Sequence, residues 1–303
     1  MLINTTNNTM KIWGMGYGII GDLIMSIPML TYFDKKYPGS YKYWVIEKKC
    51  SQSAPIYFNH PLIDRIKITD NWDSFGDVDK KLIKECNLIM NKGNGHKDDE
   101  WYNHHDCIQE TADARAGIDL RELLTEEEMF PKLYKWFDVG LPQVKSTYSK
   151  EGRVLGKEYD NNISIWPFAG SPGRSPSPEW WNKVIDMLID EGYSVCHYGM
   201  PSDPKLSNKK GYYIYPQISY FSQVKAALAS KLTLGTDSGA MWVMGAYSHP
   251  AINLMTNWLP NHHSNFSALE PVNKNGFTFF EKGDCDRIDP VKVVEKVKER
   301  VIL

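Results

Sequence analysis

Short apolar runs bounded by Gly, Pro, Ser or Asp recur along the chain, and most are followed by a stretch with apolar residues at helical spacing. In the first half, Lys11-Ile12-Trp13 reads as a strand, Asp22 to Leu30 as a helix, and Tyr43-Trp44-Val45-Ile46-Glu47 as the second strand. Pro28 has no N–H and crowds the preceding turn, so it should kink that helix or tighten its first turns. Asn59-His60-Pro61 turns into a third strand that runs to Ile68. Lys80 to Cys86 is expected to be helical, Leu88-Ile89-Met90 a short buried strand, and Thr111 to Glu128 a charged surface helix ended by Met129-Phe130-Pro131. Lys145 to Asp160 carries Gly152, Gly156 and many charges without a hydrophobic period, which is the signature of a linker.

The alternation then resumes. Ile163 to Trp166 is a strand, and Glu179 to Glu191 an amphipathic helix with Trp180, Val184, Met187 and Leu188 on its apolar stripe. Tyr193 to Tyr198 and Tyr212 to Tyr215 are strands, and Ser219 to Ser230 is a helix. Leu232-Thr233-Leu234 leads through Gly235-Thr236-Asp237-Ser238-Gly239 into a helix from Ala240, which His249-Pro250 stops before the strand Ala251 to Met255. Pro290 to Leu303 is a helix with Val291, Val294, Val297 and Val301 on one side. Strands alternating with helices predict parallel α/β units. The expected organisation is a first βαβ-type domain over residues 1–150, a second over 151–285, and a C-terminal helix over 286–303. The ligand loops should lie at the carboxyl ends of the strands, in a cleft between the domains.

Composition narrows the class. At 303 residues, 42% hydrophobic and 24% charged, the chain has an ordinary globular balance, and a net charge of -2 offers no footprint for nucleic acid. Its five cysteines form no CxxC pair and are odd in number, which argues for reduced thiols rather than a disulfide framework or a structural zinc. The polar start MLINTTNNTMK lacks the apolar core of a signal peptide, and no run of eighteen apolar residues occurs. A cytoplasmic location without a transmembrane segment is therefore expected.

Candidate chemistry sits on the turns. Gly235 to Gly239 opens a helix, whose first N–H groups lack partners and whose dipole favours an anion. Gly235 and Gly239 would let that anion approach the backbone. Asp237 would repel a phosphate, so it either caps the helix or meets a hydroxyl or base edge. The loop Pro167 to Pro178 carries one cation, Arg174. Gly16, Gly18 and Gly21 fit GxGxxG, with Glu47 ending the next strand, as a dinucleotide site would have it. Against that reading, Glu47 comes 26 residues after Gly21, and Asp22 stands where a pyrophosphate would rest. Asn91 to Asp106 is a polar loop with Trp101, Tyr102, His104 and His105. No third ligand lies at a telling spacing, so it reads as a solvated or substrate-facing loop and not as a metal site.

Three stretches, GDLIMSIPML, PFAGSPGRSPSPEWW and GTDSGAMWVMGAYSHPAINLM, resemble the heptosyltransferase-like glycosyltransferases of family nine, with weaker echoes in HPLIDRIKI, GIDL with FPKL, and CDRIDPVKVVEKV. The resemblance implies the GT-B fold, two Rossmann-like domains facing across a cleft. It also implies inverting, metal-independent sugar transfer from a nucleotide-diphosphate donor to a glycan or lipid-linked acceptor, with no cofactor beyond the donor. Asp22 matches the family's proposed base, Arg174 its phosphate-binding lysine, and Ser238 and Gly239 the N–H groups for the other phosphate. Ser171 and Asp237 complete the donor-side candidates. Gly18, Gly21, Trp101 and His104 are the acceptor-side candidates, by position. Peripheral membrane contact is compatible with this reading, and no nucleic-acid partner is expected. Trp242 stands where the family often has histidine, and Pro176-Ser177 where it has a Trp-Pro pair, which leaves donor identity open with ADP-heptose as one candidate. Two other readings stay open: an NAD(P)-dependent oxidoreductase using Gly16, Gly18 and Gly21, and a non-catalytic nucleotide-sugar-binding protein of the same fold, in which Asp22 only caps its helix.

Overall fold

The apolar runs form strands wherever they were expected among the described residues, and every strand pairing is parallel. The computed structural model describes residues 11–16, 20–69, 88–89, 109, 112, 117–137, 161–170, 173–215, 218–256 and 276–301. The chain divides into two compact units, Met1–Trp136 with Asn261–Phe266, and Phe137–Pro260 with Ser267–Leu303. The expected linker, Lys145 to Asp160, and the expected helix Lys80 to Cys86 lie outside the described residues.

The first unit is built on a sheet of order β3-β2-β1-β4, with β1 at Lys11–Gly16, β2 at Tyr41–Glu47, β3 at Arg65–Thr69 and β4 at Leu88–Ile89. Tyr43 to Ile46 of β2 are all buried, as the near-continuous apolar run of a parallel strand requires. Two helices follow β1: α1 at Ile20–Met25 and α2 at Ile27–Lys36. Pro28 does more than kink a single helix. It cannot donate to the carbonyl four residues back, so the helix breaks at Ser26 and restarts with Pro28 in the first turn of α2. Ser26 secures the break, its N–H reaching Asp22 O at 3.1 Å and its Oγ the same oxygen at 2.7 Å.

The expected charged helix over Thr111 to Glu128 is not continuous. Gln109 and Ala112 are helical, but Gly117 takes a left-handed φ of 59°, and two 3-10 turns follow at Leu120–Glu122 and Glu127–Met129. The cause is local. Asp119 accepts the Arg121 N–H at 2.9 Å, while Thr125 and Glu128 exchange reciprocal bonds of 2.9 and 3.3 Å, so polar side chains start new turns that no apolar stripe opposes. A 3-10 helix at Lys48–Tyr57, which carries no helical period, connects β2 towards β3.

In the second unit the sheet order is β10-β9-β8-β5-β6-β7. Its strands are β5 Asn162–Trp166, β6 Ser194–His197, β7 Tyr212–Ile214, β8 Leu232–Thr236, β9 Ala251–Thr256 and β10 Gly276–Glu281. The helices are α3 Pro178–Asp190, α4 Tyr220–Ala227, α5 Gly239–Ala246 and α6 Pro290–Val301. Ile163, Ile165, Leu232, Leu234, Ile252 and Leu254 form one core with Trp180, Trp181, Val184 and Leu188 of α3 and Val293, Val294 and Val297 of α6. The C-terminal helix is therefore part of this core. Its buried stripe contains Val293, whereas Val291 is 49% exposed, because the stripe centres between 293 and 297. Sequence reading did not place β10, although Phe277-Thr278-Phe279 alternates as a strand does.

Buried histidines give each unit an acid-sensitive point. His60 accepts the Leu62 N–H at 3.2 Å, and burial lowers it to about 4. Tyr212 Oη accepts the Leu206 N–H and shares a hydrogen bond of 2.7 Å with His197 Nδ1; burial lowers His197 to about 4 as well. An unfolded histidine titrates near 6.5, so between about pH 6.5 and 4 the unfolded chain binds protons that the native state refuses. Stability should fall as pH falls through that window, by up to about 3 kcal/mol per histidine, and level off below it. Denaturant titrations at pH 7, 6, 5 and 4 check this, and a flat profile from 6.5 to 4.5 contradicts it.

Candidate functional site

The carboxyl edge of the second sheet collects the donor-side candidates. β8 ends at Thr236, Asp237 and Ser238 lead out of it, and α5 begins at Gly239. Ser238 is the N-cap residue, in extended backbone (φ -154°, ψ 164°), and its side chain makes no capping bond. Its Oγ is buried without a hydrogen-bond partner among the described residues. Asp237 is not the cap: its N–H is taken by Leu254 O at 3.1 Å. Helix geometry leaves the first N–H groups of α5 without intrahelical acceptors, at the positive end of the dipole. Ser238 and Gly239 thus frame a place where an oxygen-rich anion finds donors.

Gly235 matters for a reason other than anion approach. It lies inside β8, and a Cβ there would sit 2.5 Å from Met241 Sδ and 3.0 Å from Trp166 O. The missing side chain leaves room for the Met241 side chain of α5 to pack against the strand.

The Arg174 loop meets this turn. Arg174 Nη1 lies 4.0 Å from Asp237 Oδ2, with both side chains mostly buried. The carboxylate thus faces the guanidinium, at the edge of ion-pair range, beside the start of α5. Ser171 falls outside the described residues. Sequence reading missed Ser175, whose Oγ accepts the Ala169 N–H at 2.8 Å and closes the loop, and Trp181, whose Nε1 donates to Pro167 O at 3.0 Å and holds the loop's first residue. Ser177 caps α3 by accepting the Trp180 N–H.

An aromatic group flanks the same sheet edge. Trp166 at the end of β5 has its ring 5.7 Å from Tyr198 and 5.8 Å from Tyr220, and Tyr198 stacks on Tyr215 at 5.8 Å with planes 22° apart. Gln223 clamps the turn after β6, accepting the Gly199 N–H at 2.8 Å and donating to Gly199 O at 3.0 Å. The signal was present in the sequence, since Trp166, Tyr198 and Tyr215 each sit at or just past a strand end. Trp242 is buried within α5, as helix packing predicts.

In the first unit, Asp22 is the third residue of α1, half-buried, and so not the N-cap that the pattern suggested. A carboxylate in the first turn still gains from the helix dipole. Gly21 is buried in α1, Gly16 closes β1, and Gly18, Trp101 and His104 lie outside the described residues. Burial pushes the Cys50 thiol up; Lys49 lowers it, and the Glu47 and Asp22 carboxylates raise it further. Glu47, the acid a dinucleotide would need, pairs with Lys49 at 2.8 Å. Among the described residues no group of three His, Cys, Asp or Glu is placed to hold a metal, and no helix is long and apolar enough to cross a membrane.

No protein-family model matches the chain, and no curated protein matches it in sequence. Solved structures do. The chain is similar to E. coli ADP-heptose LPS heptosyltransferase II, with a TM-score of 0.69 at 16% identity, covering 97% of this chain and 99% of that one. It is similar to a glycosyl transferase family 9 protein from Veillonella parvula, with a TM-score of 0.67 at 15% identity over 99% of each chain. The E. coli heptosyltransferase WaaC with ADP follows at 0.57 and 14%, over 96% of this chain and 100% of that one. The chain thus has the GT-B fold of these proteins, with Rossmann-like units on parallel sheets.

Proposed function

We propose that this protein is a glycosyltransferase that moves a sugar from a nucleoside diphosphate donor to a hydroxyl of a glycan or lipid-linked acceptor. The observation that carries the reading is Arg174 held beside Asp237 at the amino end of α5. A leaving diphosphate gains negative charge as the glycosidic bond breaks, and a guanidinium with unpartnered helix N–H groups is suited to stabilise it. In this reading Arg174 takes one phosphate and Ser238 and Gly239 the other. Ser171 adds a hydroxyl contact. Asp22 removes the acceptor proton, the freed oxygen attacks the anomeric carbon, and the bond to the phosphate oxygen breaks with inversion. No metal ion takes part, and the reaction runs in the cytoplasm. Gly18, Gly21, Trp101 and His104 belong to the acceptor side. ADP-heptose is the first donor to try, since the fold relatives include heptosyltransferases and one was solved with ADP.

Calorimetric titration of ADP, GDP, UDP, CMP and NAD in metal-free buffer tests it. One nucleoside diphosphate should bind, and Arg174→Ala should weaken it about 10- to 100-fold, the value of a charge-assisted contact to phosphate. Binding of NAD alone would favour the dinucleotide reading through Gly16, Gly18 and Gly21 instead.

A further inference from the structure

We infer that Asp286 is a positioning residue for Arg174, setting the aim of the guanidinium from the far end of the sequence; the inference rests on the donor-site reading above. Asp286 lies in a 3-10 turn at Cys285–Arg287, just after β10. Its Oδ1 accepts the Ser177 N–H at 2.6 Å. In the same turn, the Cys285 thiol donates to the Arg174 carbonyl at 3.4 Å. Two consecutive residues of one turn thus hold both ends of the segment Arg174 to Ser177.

The geometry has a physical consequence. The direction of a long side chain follows the φ and ψ of its own residue, and Gly173, just before Arg174, takes a left-handed φ of 80°. A loop entered through glycine has freedom to turn, and the bond from Ser177 to Asp286 restricts it together with those at Ser175 and Cys285. Asp286 is exposed, so its carboxylate does not fill core space. Its turn is itself preset: the Asp284 side chain accepts the Asp286 N–H at 2.9 Å. The turn also lies within electrostatic range of the site. The buried Cys285 thiol is pushed up to about 12, chiefly by burial, with Asp284, Asp286 and Asp237 adding to it.

The test is a double-mutant cycle read by calorimetry, using whichever of ADP, GDP or UDP binds the wild type. Asp286→Ala should weaken that nucleotide about three- to tenfold, a fraction of what a charge-assisted bond is worth. Asp286→Asn, which keeps the acceptor oxygen, should restore affinity to within about twofold. In an Arg174→Ala background, Asp286→Ala should have no further effect, because its influence runs through Arg174. Wild-type affinity in Asp286→Ala overturns the inference. So does an equal loss in both backgrounds, or an Asn variant no better than Ala. Should Asp286→Ala fail to fold, Asp286→Ser, too short to reach the Ser177 N–H, takes its place in the cycle. If the nucleotide binds and Arg174→Ala binds it equally well, the donor-site assignment fails first. If no nucleoside diphosphate binds the wild type, both readings fall.

Discussion

Asp22→Asn should lower turnover about 100- to 10,000-fold, the usual contribution of a general base, while leaving nucleoside diphosphate affinity unchanged. The substitution is close to isosteric, and Asp22 sits in the first turn of α1, half-buried, with its carbonyl already engaged by Ser26. Losing the charge at a helix start costs less than about 1 kcal/mol of stability, so a collapse in activity would report chemistry rather than unfolding. The measurement is nucleoside diphosphate release from a panel of sugar nucleotides with acceptor present, paired with a melting curve. Equal turnover in the two proteins would make Asp22 a carboxylate that serves its helix and nothing more.

The second large effect is structural. Trp181→Ala should destabilise the protein by about 3–5 kcal/mol, the range for removing a large buried aromatic. Trp181 is fully buried in the core formed by α3, α6 and the sheet, and its ring meets Trp180 edge-on at 5.2 Å. Truncation empties that space and also strips the Pro167 carbonyl of its donor at 3.0 Å. Trp181→Phe should recover most of the packing but not the hydrogen bond, leaving a deficit of about 1–2 kcal/mol. Chemical denaturation of the three proteins decides it. A loss below about 1 kcal/mol for the alanine variant would mean the core closes over the gap.

Much of the fold was legible because a parallel sheet announces itself through short apolar runs set between helical stripes. Ile163-Ser164-Ile165 and Leu232-Thr233-Leu234 could hardly be anything else once they recur with such spacing. Legibility failed where local polar bonds decide the backbone. Gly117, Asp119 and Thr125 divide a charged stretch that composition alone makes look helical. The turn at Asp237 to Gly239 and the cation at Arg174 were readable as small residues and a lone charge on a loop. What joins them was not. The bond from Ser177 to Asp286 spans 109 positions, and no pattern of spacing encodes a contact that distant. Asp22, read as at or near the cap of its helix, is the third residue of α1, which starts at Ile20.

The packing at Gly235 sets a limit on redesign. With Met241 Sδ and the Trp166 carbonyl already occupying the space any larger residue would need, position 235 behaves as a spacer of zero thickness between strand and helix. A methyl group there would have to push the Met241 side chain of α5 aside and would press on the Trp166 carbonyl, so the packing under the turn must give. Variants made to probe nucleotide preference at this turn should therefore leave position 235 as glycine.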